Sequence, residues 1–433
     1  MDVSTRLQRI AELARKYGTR PLTTLAHLID VEFLREAFRR TRKDGAAGVD
    51  GQTASEYEER LEENLQSLLD RFKSGTYKAP PVRRTHIPKG DGKSTRPIGI
   101  PTFEDKVLQR AVAMVLEAVY EQEFLACSYG FRPGRSAHQA LEALRQGLMS
   151  MGGSWVLEVD IKSFFDDLSH GSLREFLNQR VRDGVLRRTI DKWLKAGVME
   201  EGRLTHPDTG TPQGGVASPL LANIYLHEVL DKWFESVVKP RLSGRCFAIR
   251  YADDFVLVFS NERDARRVMK VLPKRFGKYG LTLHPTKTRL LRFEPKGEKP
   301  DDAAGPGSFD FLGFRHYWER SRRQGWAVKR KTMASRFDRT LKRLSRWLRY
   351  NRHRPVAEQH RRLTQALRGH YAYYGLSGNL AALRRLAYEV ARIWRKWLAR
   401  RGHRSRMIWA YFTQLLRRYP LPTPVIRRRV AFA

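Results

Sequence analysis

The sequence has few of the features that define secreted or membrane proteins. It holds only two cysteines, Cys127 and Cys246, in 433 residues, which excludes a disulfide framework and a four-cysteine zinc site. No apolar run approaches the roughly 18 residues that a membrane-spanning helix requires. No signal peptide is recognisable either. These absences favour a soluble intracellular protein in a reducing compartment, with both cysteines in its core.

Acidic residues are scarce, and their scarcity is uneven. The chain has 46 Asp and Glu against 82 Lys and Arg, a formal net charge of +36. Residues 315–433 hold 32 basic and only 4 acidic residues, whereas residues 1–314 carry a net charge of only +8. Such an imbalance indicates a polyanionic partner. Nucleic acid fits better than an anionic membrane, because the basic residues share helices with Trp and Tyr instead of forming a short anchor.

Apolar periodicity divides the chain into a mixed part and a helical C-terminal part. One helix is predicted over 54–72 and another over 218–234, with Ser218 as N-cap and Pro219 in its first turn. The Gly- and Pro-rich stretch 74–102 predicts a hairpin or extended loop. Past residue 308 the pattern becomes helical, with amphipathic stripes over 332–350, 357–374 and 380–398.

The stretch "FAIRYADDFVLVF" places two adjacent aspartates, Asp253 and Asp254, between two β-forming runs, which predicts a hairpin. Asp160 ends a further strand pattern, "VLEVD". If these strands are neighbours, three carboxylates converge at one sheet edge and raise each other's pKa. Mg²⁺, which takes a few carboxylates together with substrate phosphates, would remove that penalty. The alternative is a surface turn with solvated aspartates, and the apolar flanks argue against it.

Around these points the sequence resembles the reverse transcriptases encoded by group II introns. "RYADDFVLVF" resembles their catalytic hairpin, and "VLEVDIKSFFDDLSH" resembles their first catalytic strand. Five more stretches resemble the remaining blocks in the same order: "IPKGDGKSTRPIGIPT", "SYGFRPGRSAHQAL", "TPQGGVASPLLANIYL", "GLTLHPTKTRL" and "FDFLGFRHY". The resemblance covers nearly the whole chain, and seven collinear blocks make it specific.

The resemblance implies an α+β fold of the right-hand polymerase type. Its segments would be a helical N-terminal extension over 1–79, fingers and an antiparallel palm sheet over 80–318, an all-helical thumb or maturase domain over 325–400, and a basic tail over 401–433. Longer family members continue into a DNA-cutting domain that nothing after residue 420 resembles. Intron mobility would then require an existing nick or a replication-fork primer.

The resemblance also implies a metal site. Asp160 and Asp253 would ligate two Mg²⁺ ions, which Mn²⁺ could replace. Asp254 would complete the cluster, and the backbone carbonyl of Ile161 would be a further ligand.

A nucleotide pocket is implied beside that metal site. Lys89 and Arg96 would grip the triphosphate, and Gln213 would line the pocket. Phe165 would exclude a 2′-hydroxyl, and Lys287 would donate a proton to leaving pyrophosphate. The alternatives are a core aromatic for Phe165 and ordinary solvated side chains for the three basic residues.

Nucleic-acid contacts are expected farther along the chain. Gly313 would lie near the primer strand, and the tail arginines would contact primer, template or RNA: Arg400, Arg401, Arg404 and Arg406. The implied protein is an RNA-directed DNA polymerase that takes dNTPs and a DNA primer or target strand, binds group II intron RNA as a maturase and supports mobility by target-primed reverse transcription. It would be a bacterial-type cytoplasmic, nucleoid-associated protein without a membrane partner. The alternatives are a splicing factor with a vestigial polymerase and a domesticated or defence-associated reverse transcriptase.

Overall fold

The computed structural model describes residues 2–88, 95–200, 202–205, 209–210, 214–295, 307–321, 325–402 and 407–426. The α-helices are α1 (Val3–Lys16), α2 (Val31–Arg40), α3 (Ala54–Glu58), α4 (Leu61–Ser74), α5 (Phe103–Tyr120), α6 (Ala137–Met151), α7 (Phe164–Asp167), α8 (His170–Arg180), α9 (Gly184–Leu194), α10 (Ser218–Leu226), α11 (Glu262–Gly277), α12 (Ala334–Tyr350), α13 (Val356–Tyr374), α14 (Leu380–Leu398) and α15 (Trp409–Arg418). The strands are β1 (Val82–Pro88), β2 (Thr95–Ile100), β3 (Ser154–Val159), β4 (Ile161–Lys162), β5 (Val198–Glu200), β6 (Arg203–Thr205), β7 (Cys246–Tyr251), β8 (Asp254–Phe259), β9 (Thr282–Leu283), β10 (Arg289–Phe293), β11 (Phe309–Phe311), β12 (Phe314–Ser321) and β13 (Gly325–Thr332).

The chain forms two compact units, and each combines separate stretches of sequence. The first unit comprises Met1–Ser136 and Leu157–Leu290, and the second comprises Ala137–Val156 and Leu291–Ala433. The predicted division into extension, fingers and palm, thumb and tail therefore stays a prediction about function. Among the helices of the described ranges, none is long and apolar enough to cross a membrane.

The predicted helix over 54–72 is two helices, α3 and α4. A capping box between Thr53 and Glu56 begins α3, since each satisfies a backbone N–H of the other. The chain leaves helical geometry at Arg60 (φ −125°, ψ 47°). There the Asn64 side chain donates to the Tyr57 carbonyl at 2.9 Å. A side chain that satisfies an end carbonyl stabilises a helix stop that apolar periodicity does not indicate.

Two sheets of four strands carry the β structure around the first unit. One has the order β2-β1-β5-β6, in which β1 pairs antiparallel with β2 and parallel with β5. The other has the order β10-β3-β8-β7. Its strands β7 and β8 pair antiparallel from Cys246–Phe259 to Tyr251–Asp254. The predicted hairpin is confirmed, and Ala252 and Asp253 form its two-residue turn.

The start of α10 differs from the prediction that Ser218 is its N-cap. Ala217 is the N-cap, Ser218 lies inside the helix, and Pro219 stands in the first turn as predicted. The Gln109 side chain accepts hydrogen bonds from the backbone N–H groups of Val216 and Ala217 at 2.7 and 3.3 Å. This distant side chain therefore performs part of the capping. Beyond α10 the chain continues through π-helical turns at His227–Asp231 and Phe234–Val238.

The second unit combines α6, the sheet β11-β12-β13 and the helices from α12 onward. The three predicted C-terminal helices are confirmed as α12, α13 and α14. The prediction that the chain is helical from residue 309 onward is wrong, because β11, β12 and β13 form an antiparallel sheet before α12. Leucines at helical spacing build their core, with Trp394 fully buried among them. The segment after α15 contains no regular helix over 420–426, as its prolines predict.

Gln359 connects the helices of this core. Its side chain is fully buried, and its Nε2 donates to the carbonyls of Asn351, Arg352 and Arg354 at 3.0 Å each. Its Oε1 accepts from the indole Nε1 of Trp394 at 2.9 Å. One side chain thus joins the α12–α13 connection to α14.

Replacing Gln359 by leucine should destabilise this unit, because the indole N–H and several carbonyls lose their partners. We expect the free energy of unfolding to fall by about 2–4 kcal/mol. Native-state hydrogen exchange of the amides of α12–α14 measures it. Gln365→Leu, at an exposed position of the same helix, is the control, and equal protection in both variants would refute the role of Gln359.

Candidate active site

The hairpin tip places Asp253 and Asp254 in different environments. Asp253 lies in the turn and is partly buried, whereas Asp254 begins β8 and is exposed. Burial raises the pKa of Asp253, and the charge of Asp160 raises it further. Asp160 and Asp253 are therefore electrostatic neighbours, as the sequence predicts.

Asp160 lies between β3 and β4, at the end of a buried strand. Its backbone carbonyl accepts from the N–H of His284 at 2.7 Å, and the next residue, Ile161, pairs with Leu283 of β9. Its carboxylate accepts a hydrogen bond from Nζ of Lys287 at 2.8 Å. Its contact with Asp160 thus places Lys287 beside the predicted metal ligands.

A second predicted cation also acts on this site. Arg96 of β2 is exposed, and its charge lowers the pKa of Asp253 against the effect of burial. Lys89 and Gln213 lie outside the described residues. Gly214, which follows Gln213, has a φ of +119°, and a Cβ there would lie 2.6 Å from the carbonyl oxygen of Gly99. This glycine therefore lets the backbone at residue 214 approach strand β2 closely.

Phe165 differs from its aromatic neighbour in exposure. Phe164 is buried at 3% exposure, whereas Phe165 in the same short helix is only partly buried. The two rings meet edge to face, with centroids 5.4 Å apart. Phe164 fills the core position, which leaves the Phe165 ring partly available to a substrate.

Backbone strain is concentrated around the predicted site residues. Among the described residues, the non-glycine residues with positive φ are Phe131 (55°), Ser163 (45°), Ala252 (57°) and Leu312 (48°). Ser163 precedes Phe165 by two residues, Ala252 precedes Asp253, and Leu312 precedes Gly313. Such conformations are costly outside glycine and persist where the surrounding structure imposes them.

Phe131 was not singled out by sequence reasoning. Its side chain is 56% exposed, and its ring centroid lies 6.3 Å from that of Tyr251 in the β7–β8 hairpin. The adjacent Gly130 packs so closely on the turn that a Cβ would lie 2.3 Å from the backbone nitrogen of Ala252. The matched block "SYGFRPGRSAHQAL" was the available signal, but only the fold shows that it reaches the hairpin.

The residues predicted to meet primer or RNA fall in the second unit, where their contacts differ. Gly313 (φ +80°) lies in the turn between β11 and β12, and its carbonyl accepts from the N–H of Met333 at 3.1 Å. Arg400 is exposed, with its guanidinium 5.3 Å from the ring centroid of Trp397. Arg401 instead donates to the carbonyl of Arg354 at 2.7 Å, a structural contact. Arg404 and Arg406 lie outside the described residues.

A compact group of possible metal ligands lies elsewhere in the first unit. Among the described residues, it is Glu123, His227 and Glu228 whose ligand atoms all lie within 4.8 Å of one another. Arg180 pairs with Glu123, and Lys232 pairs with Glu228 at 2.5 Å. Because both carboxylates already have cationic partners, this group has little remaining attraction for a cation.

A buried polar network binds the backbone of Val216 and Ala217, directly before α10. Asp105 accepts hydrogen bonds from the Tyr77 hydroxyl, from Nε1 of Trp193 at 2.7 Å and from Nε2 of Gln109 at 2.9 Å. Gln109 in turn accepts from the N–H groups of Val216 and Ala217. Val216 and Ala217 are thereby tied to α5 and α9.

Comparison with known proteins gives this geometry a family. The family described as "Reverse transcriptase (RNA-dependent DNA polymerase)" matches residues 87–316, more than half of the chain. The chain belongs to the reverse transcriptase family. The match contains the hairpin, Asp160, Phe165 and Lys287, which lie together in the first unit.

Individual relatives of the chain support the predicted resemblance to the reverse transcriptases of group II introns. Protein YkfC of Escherichia coli (strain K12) is 37% identical over 290 residues, which are 59% of this chain and 72% of that protein. The group II intron-encoded protein LtrA of Lactococcus lactis subsp. cremoris is 46% identical over 173 residues, 40% of this chain but only 28% of that protein. The mitochondrial nuclear intron maturase 2 of Arabidopsis thaliana is 29% identical over 231 residues, 41% of this chain and 31% of that protein. The predicted membership of the group II intron reverse transcriptase and maturase family is confirmed.

The Asp105 network should make the stability of this protein depend on pH. Burial raises the pKa of Asp105 to about 6 from an ordinary value of 3.8. Between these values the folded protein binds more protons than the unfolded chain, so Asp105 makes stability fall as pH rises from about 4 to about 6. Asp105→Asn should remove that contribution, which is on the order of 3 kcal/mol for two pKa units.

The measurement is chemical denaturation of wild type and Asp105→Asn at several pH values from 4 to 7. The informative quantity is the change with pH in the difference between their unfolding free energies, because the hydrogen bonds altered by the substitution contribute a nearly constant offset. Asp70→Asn on the exposed side of α4 is the control. A difference that stays constant over this range would contradict the raised pKa of Asp105.

Proposed function

We propose that this chain is an RNA-directed DNA polymerase whose active site is built on Asp160 and Asp253. The observation that carries the proposal is that Asp160 directly follows β3 and Asp253 directly precedes β8, two neighbouring strands of one sheet, inside the region that matches the reverse transcriptase family. The charge of Asp160 acts on Asp253 at this site. A protein that only bound nucleic acid would gain nothing from coupled carboxylates. Positive side chains suffice for phosphate binding.

The residues present fit a divalent cation. Two electrostatically coupled carboxylates offer the hard oxygen ligands that Mg²⁺ and Mn²⁺ accept. Asp160 and Asp253 would hold it, with Asp254 and the carbonyl of Ile161 as further ligands. Two such ions supply activation of an attacking hydroxyl and stabilisation of the leaving oxygen.

The remaining roles fall to side chains around the carboxylates. Arg96 would bind the triphosphate of a dNTP, since its planar guanidinium matches phosphate oxygens, and Lys89 and Gln213 would complete that pocket. Phe165 would exclude ribonucleotides. Lys287 would hold a proton for leaving pyrophosphate, and its contact with Asp160 keeps it beside the reaction.

We propose in addition that the protein binds group II intron RNA, assists splicing as a maturase and supports intron mobility. The relatives named as intron-encoded protein and intron maturase support this role. So does the second unit, whose basic helices present many arginines toward solvent. A-form RNA would be met largely through phosphates and shape, with Arg400 as a contact and Gly313 nearer to the primer strand. Arg404 and Arg406 belong to the same proposal.

Asp253→Asn should abolish Mg²⁺-dependent DNA synthesis while leaving RNA binding intact, because carboxylates hold the cation and basic surfaces hold RNA. We expect the rate of dNTP incorporation on an RNA template with a DNA primer to fall by at least ~10³-fold, equivalent to several kcal/mol of lost transition-state stabilisation. Filter binding of intron RNA should stay within a factor of about two.

Asp160→Asn should behave in the same way, and Asp338→Asn, an exposed aspartate on α12, is the control for the loss of one carboxylate. Normal synthesis by either active-site variant would overturn the assignment of the two aspartates.

Phe165→Val should let the enzyme use ribonucleotides, because the smaller side chain leaves room for a 2′-hydroxyl. We expect the kcat/KM ratio of rNTP to dNTP to rise on the order of 10–100-fold, the scale of discrimination that one apolar side chain supplies. Single-nucleotide incorporation measures both values. Phe164→Leu, in the buried neighbour, is the control that should lower stability without changing the ratio. An unchanged ratio in Phe165→Val would make Phe165 an ordinary packing residue.

A further inference from the structure

Arg250 is a fully buried cation three residues before Asp253. Its Nε and Nη2 donate to the two carboxylate oxygens of Asp231 at 2.8 and 2.5 Å. Its Nη1 donates to the side-chain oxygen of Asn223 at 2.9 Å and to the backbone carbonyl of Ala252 at 3.1 Å. The guanidinium therefore joins the π-helical turn after α10 to the turn of the β7–β8 hairpin.

Such a pair is a poor means of stabilising a fold. Removing two charges from water costs several kcal/mol per ion, and replacing a buried pair by apolar side chains of similar volume is often neutral or stabilising. Asp231 is also fully out of solvent, at 1% exposure. Burial alone would raise the pKa of Asp231, but the Arg250 guanidinium holds it below its ordinary value. The ion pair is well formed, and we therefore explain it by the groups that it contacts and not by a contribution to stability.

The pair contacts Ala252, the first of the two residues of the hairpin turn. Ala252 has a φ of +57°, a conformation that disfavours a residue with a Cβ. Arg250 binds its carbonyl. On the other side Gly130 packs against its backbone nitrogen, and Asn223 joins the two contacts by donating from Nδ2 to the Gly130 carbonyl at 2.7 Å.

The backbone of Arg250 is fixed as well. Its N–H donates to the carbonyl of Cys127, and its own carbonyl accepts from the N–H of Tyr129, both at 2.8 Å. Strand β7 is thus held along its other edge by residues 127–129, next to Gly130. Main chain and side chain together leave the hairpin turn little freedom.

We propose that Arg250, Asp231 and Asn223 are positioning residues that fix the Ala252 carbonyl and thereby hold Asp253 in register with Asp160. The proposal rests on the proposed polymerase function, because it says how that site is kept in place. A loosened turn would let the Asp253 carboxylate move away from Asp160, which disfavours cation binding and slows catalysis. Displacement of a reacting group by about 1 Å can cost ~10²-fold in rate.

The decisive variant replaces the pair by apolar side chains, Arg250→Met together with Asp231→Leu, in the full-length chain. Removal of both buried charges should offset the loss of the hydrogen bonds to Asn223 and Ala252, so the free energy of unfolding should stay within about 2 kcal/mol of the wild-type value. On an RNA template with a DNA primer, kcat should fall on the order of 10²-fold, while KM for dNTP and affinity for RNA stay unchanged. The Mg²⁺ concentration at half-maximal rate should rise.

The control is the same chemistry at another ion pair of the first unit, Arg174→Met together with Asp191→Leu. Nε of Arg174 donates to the Asp191 carboxylate at 2.7 Å, which joins α8 to α9 and involves neither strand of the hairpin. This variant should keep the wild-type Mg²⁺ dependence. Equal effects in both variants would mean that Arg250 has only a general packing role and would overturn the proposal.

Two further measurements keep the proposal testable if the double variant does not fold or if the wild type does not extend primers. Asn223→Ala retains the ion pair but removes one of its bridges, and it should still raise the half-maximal Mg²⁺ concentration. Mn²⁺ affinity by electron paramagnetic resonance needs no turnover and should weaken in the same variants. Unchanged metal dependence in Asn223→Ala and unchanged Mn²⁺ affinity would overturn the positioning role. Absent primer extension by wild type, with Mn²⁺ affinity still weakened in the variants, would instead count against the proposed polymerase function alone.

Discussion

Placing the like charges of Asp160 and Asp253 at one site is the constraint that the surroundings of the hairpin turn have to satisfy. Burial and the charge of Asp160 both raise the pKa of Asp253, and Arg96 and Arg250 act in the opposite direction. Lys287 pairs with Asp160 at 2.8 Å, in a contact that is largely exposed to solvent. These three cations come from β2, from β7 and from the segment after β9. A cluster of like charges at one sheet edge therefore requires distant parts of the chain to meet there.

The apolar strands explain how the carboxylates can be held so close. Strands β7 and β8 are almost wholly buried, so hydrophobic burial fixes the hairpin independently of its charged tip. The remaining freedom lies in the turn, where Ala252 adopts a left-handed conformation. Contacts from Arg250 and Gly130 remove that freedom. Packing thus provides the stability, and polar contacts set the position of the reactive group.

Local patterns in the sequence predicted part of the secondary structure, including the β7–β8 hairpin and the C-terminal helices, but they missed the sheet of β11, β12 and β13. Two β-forming runs that flank Asp253 and Asp254 predicted the hairpin, and the 3.6-residue period predicted α12, α13 and α14. Local patterns did not predict the helix ends that are set by a side chain from elsewhere in the chain. Asn64 ends α3, and Gln109 takes over capping at α10.

Long-range partnerships are likewise invisible in a single sequence. Arg250 and Asp231 stand 19 residues apart and meet only because α10 continues through π-helical turns. Arg401 resembles its neighbour Arg400 in sequence, yet its guanidinium is used within the fold. The basic composition indicates which part of the chain to test for RNA binding, but it does not assign roles to individual arginines.

The central claim is that the catalytic cation binds at Asp160 and Asp253. Electron paramagnetic resonance of Mn²⁺ titrated into the protein with RNA template, DNA primer and dNTP tests it most directly. The account predicts that Asp253→Asn loses tightly bound Mn²⁺, whereas Glu123→Gln, in the compact group whose carboxylates already pair with Arg180 and Lys232, binds it as the wild type does. Retention of Mn²⁺ in Asp253→Asn together with its loss in Glu123→Gln would contradict the account.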